Sequence, residues 1–468
     1  MVATPHDAAS GGGVGQNEVL VASLARLITR GSRCCLLALV FLFLLLGNLP
    51  RFVPLPGFAH NQNIMELLLL LAGVGTALCN PRIAKLFLVR WFPVWMIILG
   101  SCVYGSLING FAMGPALFAV RLVLLCLAGF AAGYALKARF GANIEPVLKF
   151  GVSAFTLVAV IGLVQYRFFP DCWALWQQLG QVGITFLGDP HQGRLVSTYF
   201  DPNFYSTIAC FYLLAAFVLW QSSGSLLRAG IVWLIAATIL LSGSRTGIAT
   251  LAATVLATAW LYRRPILRAM RTLVVTRRAA YYGLLTLAAA VLGAPLYLRS
   301  VIYMWSRLMV MGNDPSAQAR VKTFLFGLDL LEQHPFLGMG YNYHSIRVLA
   351  FNGLTSLDSS LMVTLVSFGL IFTAVLFLLL FGWALRTRVK LVAWEAYDAR
   401  PRLFFDLYLC HLAIVILFSS QTNNVLYFPL WLLPTLMFGS YLSLLPWPPG
   451  SETQQAKTRR EPSGEQTP

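Results

Sequence analysis

Arginines are the residues of this sequence whose type and position point most directly to chemistry. A guanidinium is planar, keeps its charge at physiological pH and offers paired donors that match phosphate oxygens. Seven cations lie in segments assigned below to the outer side of a membrane, where positive charge is scarce: Arg194, Arg245, Arg299, Arg307, Arg320, Lys322 and Arg347. They predict a site for an anionic ligand, and a lipid-linked pyrophosphate suits such a site well.

Arg245 has the strongest position among these cations. It stands at the mouth of an apolar run, in the segment 241–247 with the sequence LSGSRTG. The glycines allow backbones to approach closely, and the first amides of the following helix favour an anion. For Arg299 a helix end at the membrane interface is the simpler explanation, and Arg307 and Lys322 fit a solvated loop surface.

Two further arginines lie in or at the end of predicted spans. Arg121 falls about two turns inside the span at 115–136, and Arg167 lies at the outer end of the span at 147–168. An arginine inside a span costs about 3 kcal/mol on insertion scales and marks a functional-site candidate. Arg121 is therefore predicted to support the anion site.

The scaffold for these side chains is predicted to be an all-α polytopic membrane protein. Hydrophobic residues make up 58% of the 468-residue chain and charged residues 11%, less than half of what soluble domains carry. Apolar runs long enough to cross about 30 Å of hydrocarbon as helices predict twelve spans, at residues 34–50, 63–80, 91–108, 115–136, 147–168, 203–222, 225–241, 244–262, 279–298, 360–385, 403–420 and 424–445.

The distribution of Lys and Arg among the loops sets the predicted orientation. With both termini in the cytoplasm, the basic clusters near 82–90, 137–139, 263–278 and 386–402 lie inside, and the short outer loops are nearly bare. The reverse orientation would place every cluster outside. The net charge of +17 is therefore a topology signal rather than a phosphate-binding face, and no nucleic-acid partner is expected.

Two predicted outer segments are long, 169–202 and 299–359, and loops of that length in a tight bundle are usually functional. The second contains a predicted amphipathic helix from Ala317 to His334, which would lie on the outer membrane surface or cap a cavity. Its apolar face follows spacings of three and four residues and consists of Val321, Phe324, Leu325, Leu328 and Leu331.

Four segments resemble the O-antigen ligase and polymerase family of bacterial cell-envelope glycosyltransferases. They are STYFDPN at 197–203, GSRTG at 243–247, Arg320 together with HPFLGMG at 334–340, and the stretch 357–369 that enters the tenth span. Their order, their spacing and the large loop between spans nine and ten are together more specific than any one segment. The resemblance covers roughly residues 60–445.

The resemblance implies a GT-C-like helical fold and a polyprenyl-pyrophosphate-dependent glycosyltransferase acting at the periplasmic side of the bacterial inner membrane. Arg245 and Arg320 match family arginines and are implied to grip the donor pyrophosphate. Arg194 joins them because it lies close to the 197–203 segment. Tyr199 and Asn203 are candidates for sugar contacts, although a helix cap at Asp201 with proline next explains that segment almost as well.

One position departs from the ligase pattern. Family ligases place a His-Asn pair just before the helix that follows the large loop, and Asp358 with Ser359 stands there in this sequence. A carboxylate can position an acceptor hydroxyl and accept its proton, so Asp358 is assigned to the acceptor, with an ion pair to an arginine as the other interpretation. His334 and His344 lie out of register; His344 is kept as a substrate-binding candidate, against a packing role.

An aspartate at that position resembles repeat-unit polymerases of exopolysaccharide or O-antigen more than lipid A-core ligases. We therefore predict a polymerase that joins a glycan on undecaprenyl pyrophosphate to a lipid-linked repeat unit. A ligase with another acceptor is the alternative, and a flippase or transporter, which commonly has internal repeats, is a third interpretation. No metal-ligand cluster stands out on the outer side, so neither metal nor cofactor is expected. A chain-length regulator and a flippase of the same pathway are the expected partners.

The predicted organisation has five parts. Residues 1–33 form a cytoplasmic segment, partly disordered, and 34–298 hold spans one to nine with the periplasmic loop 169–202. A periplasmic loop domain follows at 299–359, then spans ten to twelve at 360–445. Residues 446–468 are rich in proline, glycine and charge and predict a disordered cytoplasmic tail.

Overall fold

The computed structural model describes residues 16–52, 64–169, 193–261, 315–352 and 357–448, and these residues form helices without a β-strand. The helices are α1 (Gln16–Leu46), α2 (Ile64–Leu78), α3 (Pro81–Arg90), α4 (Phe92–Asn109), α5 (Met113–Phe140), α6 (Ile144–Phe168), α7 (Pro202–Ser223), α8 (Leu226–Leu241), α9 (Arg245–Leu261), α10 (Pro315–Gln333), α11 (His344–Asn352), α12 (Ser360–Trp394), α13 (Arg400–Ile414) and α14 (Pro429–Leu444). A π-helical turn, Val415–Ser419, continues α13.

The described helices confirm an all-helical membrane protein with several spans. Seven of them are long and apolar enough to cross a membrane, or up to eight spans if α2 and α3, bent by 105°, count as one. The shorter apolar helices α8 and α14 coincide with predicted spans. The predicted span at 279–298 lies outside the described residues, so the total of twelve stays a prediction.

The largest departures from the predicted spans occur in three places. The first helix begins at Gln16 rather than near residue 34, the predicted loop after the second span contains α3, and α12 continues to Trp394. Hydropathy marks where lipid surrounds a helix, whereas good helix formers carry the helix beyond that boundary. The prediction of span ends from hydropathy is therefore poorest where a helix leaves the membrane.

Small residues let the central helices approach closely. A Cβ on Gly133 of α5 would lie 2.5 Å from the Met437 carbonyl oxygen of α14. Helix α7 is buried along most of its length, from Tyr205 to Leu219. Close backbone contact between small residues is a common means of helix association in membranes, and it gives the bundle a rigid centre.

Helix α12 is broken at Gly369, where φ is 67°. The segment 335–340 fills the break with backbone hydrogen bonds: Met339 N donates to Val366 O at 2.8 Å, and Leu370 N donates to Pro335 O at 2.8 Å. Unwound backbone at membrane depth is tolerated where protein surrounds it. The HPFLGMG segment follows α10, and these hydrogen bonds attach the predicted outer loop to α12.

The predicted amphipathic helix is present as α10. It packs on α12 through Gly327, whose Cβ would lie 2.3 Å from Met362 Cγ, and through buried Leu330. Four of the five residues of the predicted apolar stripe, Val321, Phe324, Leu325 and Leu328, are exposed and face away from that contact. The fifth, Leu331, is partly buried and packs against the same core as Leu330. This placement leaves an apolar surface beside the end of the bundle that is predicted to face outward.

Candidate functional site

The segment containing Arg194 is bound to the turn before α9. Arg194 Nε donates to Ser242 O at 3.0 Å, and its Nη2 donates to Asn203 Oδ1 at 3.5 Å. Ser244 Oγ donates to the same Asn203 oxygen at 2.8 Å. Asn203, at the start of α7, thereby ties the Arg194 segment to the start of α9, and its Oδ1 is engaged by protein rather than open to a sugar.

Arg245 is the first residue of α9 and is half-buried. Ser244 caps this helix, because its Oγ accepts a hydrogen bond from Gly247 N at 3.0 Å. Gly243 has φ of 57°, and a Cβ on Gly247 would lie 1.9 Å from Ser206 Oγ. The close approach expected of these glycines is confirmed at Gly247, and it presses the start of α9 against α7.

Asp201 caps α7, and Pro202 follows at the first helical position. Its Oδ1 accepts from Asn203 N at 2.6 Å and from Phe204 N at 3.0 Å. The capping interpretation of this segment is thus correct. Tyr199 is fully buried, and its hydroxyl donates to Leu44 O at 3.2 Å. The structure therefore does not support the sugar contact predicted for Tyr199, because the side chain packs inside the bundle.

Asp358 lies just before α12 and is half-buried. The residues after it are bound to the loop that follows α13: Ser359 Oγ donates to Ser420 O at 2.9 Å, and Ser360 Oγ donates to Asn423 O at 2.8 Å. Burial raises the pKa of the Asp358 carboxyl above its ordinary value. The Arg320 guanidinium opposes that increase, and the Asp201 carboxylate adds to it.

These interactions bring the predicted residues to one end of the bundle. Asp358 is within electrostatic reach of Arg320 and Asp201, and Asp201 belongs to the turn that also presents Asn203 to Ser244. We call this group the outer cluster; its members are Arg194, Asp201, Asn203, Arg245, Arg320 and Asp358. Two other predicted outer cations, Arg299 and Arg307, lie outside the described residues.

Arg121 is paired with an acid inside the bundle. Its Nε lies 2.6 Å from Glu66 Oε1 and its Nη2 lies 3.0 Å from Glu66 Oε2, and Glu66 is buried. A bidentate carboxylate neutralises an intramembrane guanidinium. The prediction that Arg121 supports an anion site overlooked this pairing, and the structure shows a link between α2 and α5.

His344 packs against the break in α12. It is buried, and its Nδ1 lies 3.3 Å from Ser367 Oγ. Burial lowers the pKa of His344 to about 4, so the imidazole is neutral at physiological pH. The packing interpretation of this histidine describes its surroundings better than the substrate-binding one.

Sequence reasoning missed two acids. Asp201 was treated only as a cap, and its charge also acts on Asp358; an aspartate beside the arginine-rich segment was the available signal. Glu66 stands alone in an apolar run, and one acid in a span is a signal for a cationic partner. Within the described parts of the chain, no group of three or more His, Cys, Asp or Glu side chains could hold a metal ion.

Comparison with known proteins identifies one domain. Residues 230–378 match the family model described as O-antigen ligase, and this stretch contains Arg245, Arg320 and Asp358. No curated protein sequence matches the chain significantly. The match confirms the resemblance indicated by the segments at 243–247, 320–340 and 357–369, whereas the segment 197–203 lies outside the matched residues. The members of this family are glycosyltransferase-type enzymes.

Proposed function

Because residues 230–378 carry an O-antigen ligase-type domain, we propose that this protein is a polysaccharide polymerase of the bacterial inner membrane. It transfers a glycan from a polyprenyl-pyrophosphate-linked donor to a sugar hydroxyl of a lipid-linked repeat unit. The reaction takes place at the periplasmic side, and both termini lie in the cytoplasm. The observation that carries the proposal is the outer cluster, in which half-buried Asp358 lies within electrostatic reach of Arg320 and Asp201, while Arg194 is held against the turn that precedes Arg245.

The arginines bind the donor and stabilise its leaving group. Arg245 and Arg320 bind the pyrophosphate, with Arg194 in support. When the bond between the anomeric carbon and the phosphate oxygen breaks, both bonding electrons go to the pyrophosphate. Fixed guanidinium groups stabilise that developing charge without reorganisation. Arg194 is already oriented, because Ser242 O and Asn203 Oδ1 hold its guanidinium.

Asp358 is the general base for the acceptor hydroxyl. The acceptor hydroxyl oxygen forms the new bond to the anomeric carbon, and its proton passes to the Asp358 carboxylate. A carboxyl whose pKa is raised by burial holds that proton more strongly than an ordinary aspartate, which suits a general base. The positive charge of Arg320 favours the ionised form of Asp358, so Arg320 acts on both the donor pyrophosphate and the acceptor base.

The lipid carrier has a candidate surface on α10. Val321, Phe324, Leu325 and Leu328 are exposed on the same helix as Arg320. An isoprenoid chain that lies along this stripe would bury apolar area while its pyrophosphate reaches Arg320. The stripe thus supports a lipid-linked donor over a soluble nucleotide sugar.

A ligase that transfers the glycan to another acceptor, such as lipid A-core, is the second candidate. The description of the matching family model as O-antigen ligase favours it. Both reactions use the same donor chemistry, so the acceptor separates them. The same match favours glycan transfer over transport by a flippase.

The decisive experiment uses the purified full chain in nanodiscs with synthetic undecaprenyl-pyrophosphate-linked repeat units. A polymerase produces a ladder of longer lipid-linked glycans, detected by mass spectrometry. Arg245→Ala and Arg320→Ala abolish the ladder, whereas Lys322→Ala, an exposed cation two residues from Arg320, retains it. Transfer to added lipid A-core without elongation would replace the polymerase with the ligase, and full ladders from both arginine variants would refute the site.

A further inference from the structure

Four basic side chains from three separate predicted cytoplasmic loops lie together at the other end of the bundle. They are Arg90 at the end of α3, Lys137 in the last turn of α5, and Arg386 and Lys390 about one turn apart on α12. The other three charges lie close enough to Lys390 to repel its ammonium group, and Arg386 repels Arg90. We call these four residues the inner cation cluster.

No member of this cluster forms an ion pair with a described residue, although acids occur in the same predicted cytoplasmic loops. Like charges held together without a counter-ion are destabilising, so a bound anion would relieve the repulsion. The nearby acids are bound by other cations, in the pairs Asp406–Arg388, Asp398–Arg400 and Glu395–Arg402.

Lys390 is the buried member of the cluster. It is 7% exposed, and its Nζ donates to Ser443 O at 2.6 Å. An ammonium group has three donors, and no other acceptor for Lys390 occurs in the described residues. Arg90 and Arg386 are exposed, so their guanidinium groups are available to an anion that binds beside Lys390.

Exposed apolar side chains border these cations on both helices. Leu88 and Val89 precede Arg90 on α3, and Leu385 and Val389 flank Arg386 on α12. Helix α3 is bent by 105° from α2, so it runs across the direction of that span. Free phosphate would use only the cations, whereas a phospholipid would also cover the apolar side chains with its acyl chains.

We propose that the inner cation cluster binds the headgroup phosphate of an anionic phospholipid in the cytoplasmic leaflet. The cytoplasmic position follows from the predicted orientation, and anionic lipids of that leaflet attract basic juxtamembrane residues. The bound lipid neutralises the repulsion around Lys390 and joins the ends of α3, α5 and α12. This inference does not depend on the proposed function, because it concerns the opposite side of the membrane.

Native mass spectrometry of the purified full chain, titrated with phosphatidylglycerol or phosphatidylcholine, tests the proposal. The protein is expected to retain phosphatidylglycerol in preference. Arg90→Gln and Arg386→Gln are each expected to weaken its binding about tenfold, because each removes one charge-assisted hydrogen bond. Both residues are exposed, so the fold should tolerate the changes.

Arg139→Gln is the matched control, since Arg139 is an exposed arginine in the last turn of α5 outside the cluster. It should leave phosphatidylglycerol binding unchanged. An equal loss in Arg139→Gln would mean general attraction to the anionic surface and would overturn the site. Equal retention of both lipids, with displacement by inorganic phosphate, would identify a free-phosphate site and overturn the lipid assignment.

Discussion

The outer cluster and the ion-pair network around Glu145 use similar residues in opposite ways. Glu145 Oε1 lies 2.7 Å from Arg228 Nη2 and 2.9 Å from Lys149 Nζ, and Glu145 Oε2 lies 2.8 Å from Arg400 Nη1. These ion pairs join α6, α8 and α13. In the outer cluster, Asp201 bonds backbone amides, and Asp358 is half-buried beside the Arg320 charge.

Comparing the two regions separates charges that stabilise the fold from charges that can take part in a reaction. A carboxylate that contacts several cations directly neutralises them and stabilises the helix ends, as in the Glu145 network. A carboxylate that is influenced by an arginine charge without a direct ion pair can still accept a proton. If this distinction is correct, substitutions in the two regions should change different measured quantities.

The largest effect is expected for Asp358→Asn. An amide cannot accept the acceptor proton, and loss of a general base typically lowers a rate by about 10²–10⁴-fold. Single-turnover glycan transfer with the lipid-linked donor measures this change. Donor binding should be nearly unchanged, so loss of binding together with rate would assign Asp358 to the donor side instead.

The second-largest effect is expected for Arg320→Ala. Removal of one preorganised donor to a developing negative charge lowers kcat by about 10²–10³-fold. Arg228→Ala is the matched change in the Glu145 network, and it should retain transfer per folded molecule. Equal losses of activity in the two variants would erase the distinction between the two regions.

Glu145→Gln is expected to lower stability rather than activity. The change removes the charge that three cations share, and the side chain is 25% exposed. The free energy of unfolding is expected to fall by about 1–2 kcal/mol, because partly exposed pairs are worth little individually. Thermal unfolding in detergent measures it, with Asp358→Asn as the comparison variant that should unfold at nearly the wild-type temperature.

The smallest effect is a shift in the pH profile caused by Asp201→Asn. Burial and Asp201 raise the pKa of Asp358, so activity should be lost as pH falls through that raised value and retained above it. Removal of the Asp201 charge should move this acid limb to lower pH, and asparagine still caps α7. An unmoved acid limb in the pH dependence of kcat/KM would show that Asp358 does not control it.

The sequence predicted much of this architecture because hydropathy reports the solvent of each helix directly. Each predicted span within the described residues coincides with a helix, and the helix carrying Arg320 begins and ends within two residues of its predicted bounds. The break at Gly369 was not predicted, since it depends on backbone hydrogen bonds from residues 335–340. Such partners are distant in the chain, and no local pattern identifies them.

The membrane environment, the helical content and the residue types that could bind a pyrophosphate can be read from composition and pattern, because hydrophobicity and charge are properties of single residues. Which arginine is neutralised depends on how the helices pack. Arg121 pairs with Glu66, whereas Arg320 on α10 lies within electrostatic reach of Asp358, which precedes α12. Coulomb energies depend on distance and burial, and both are fixed only when the helices pack.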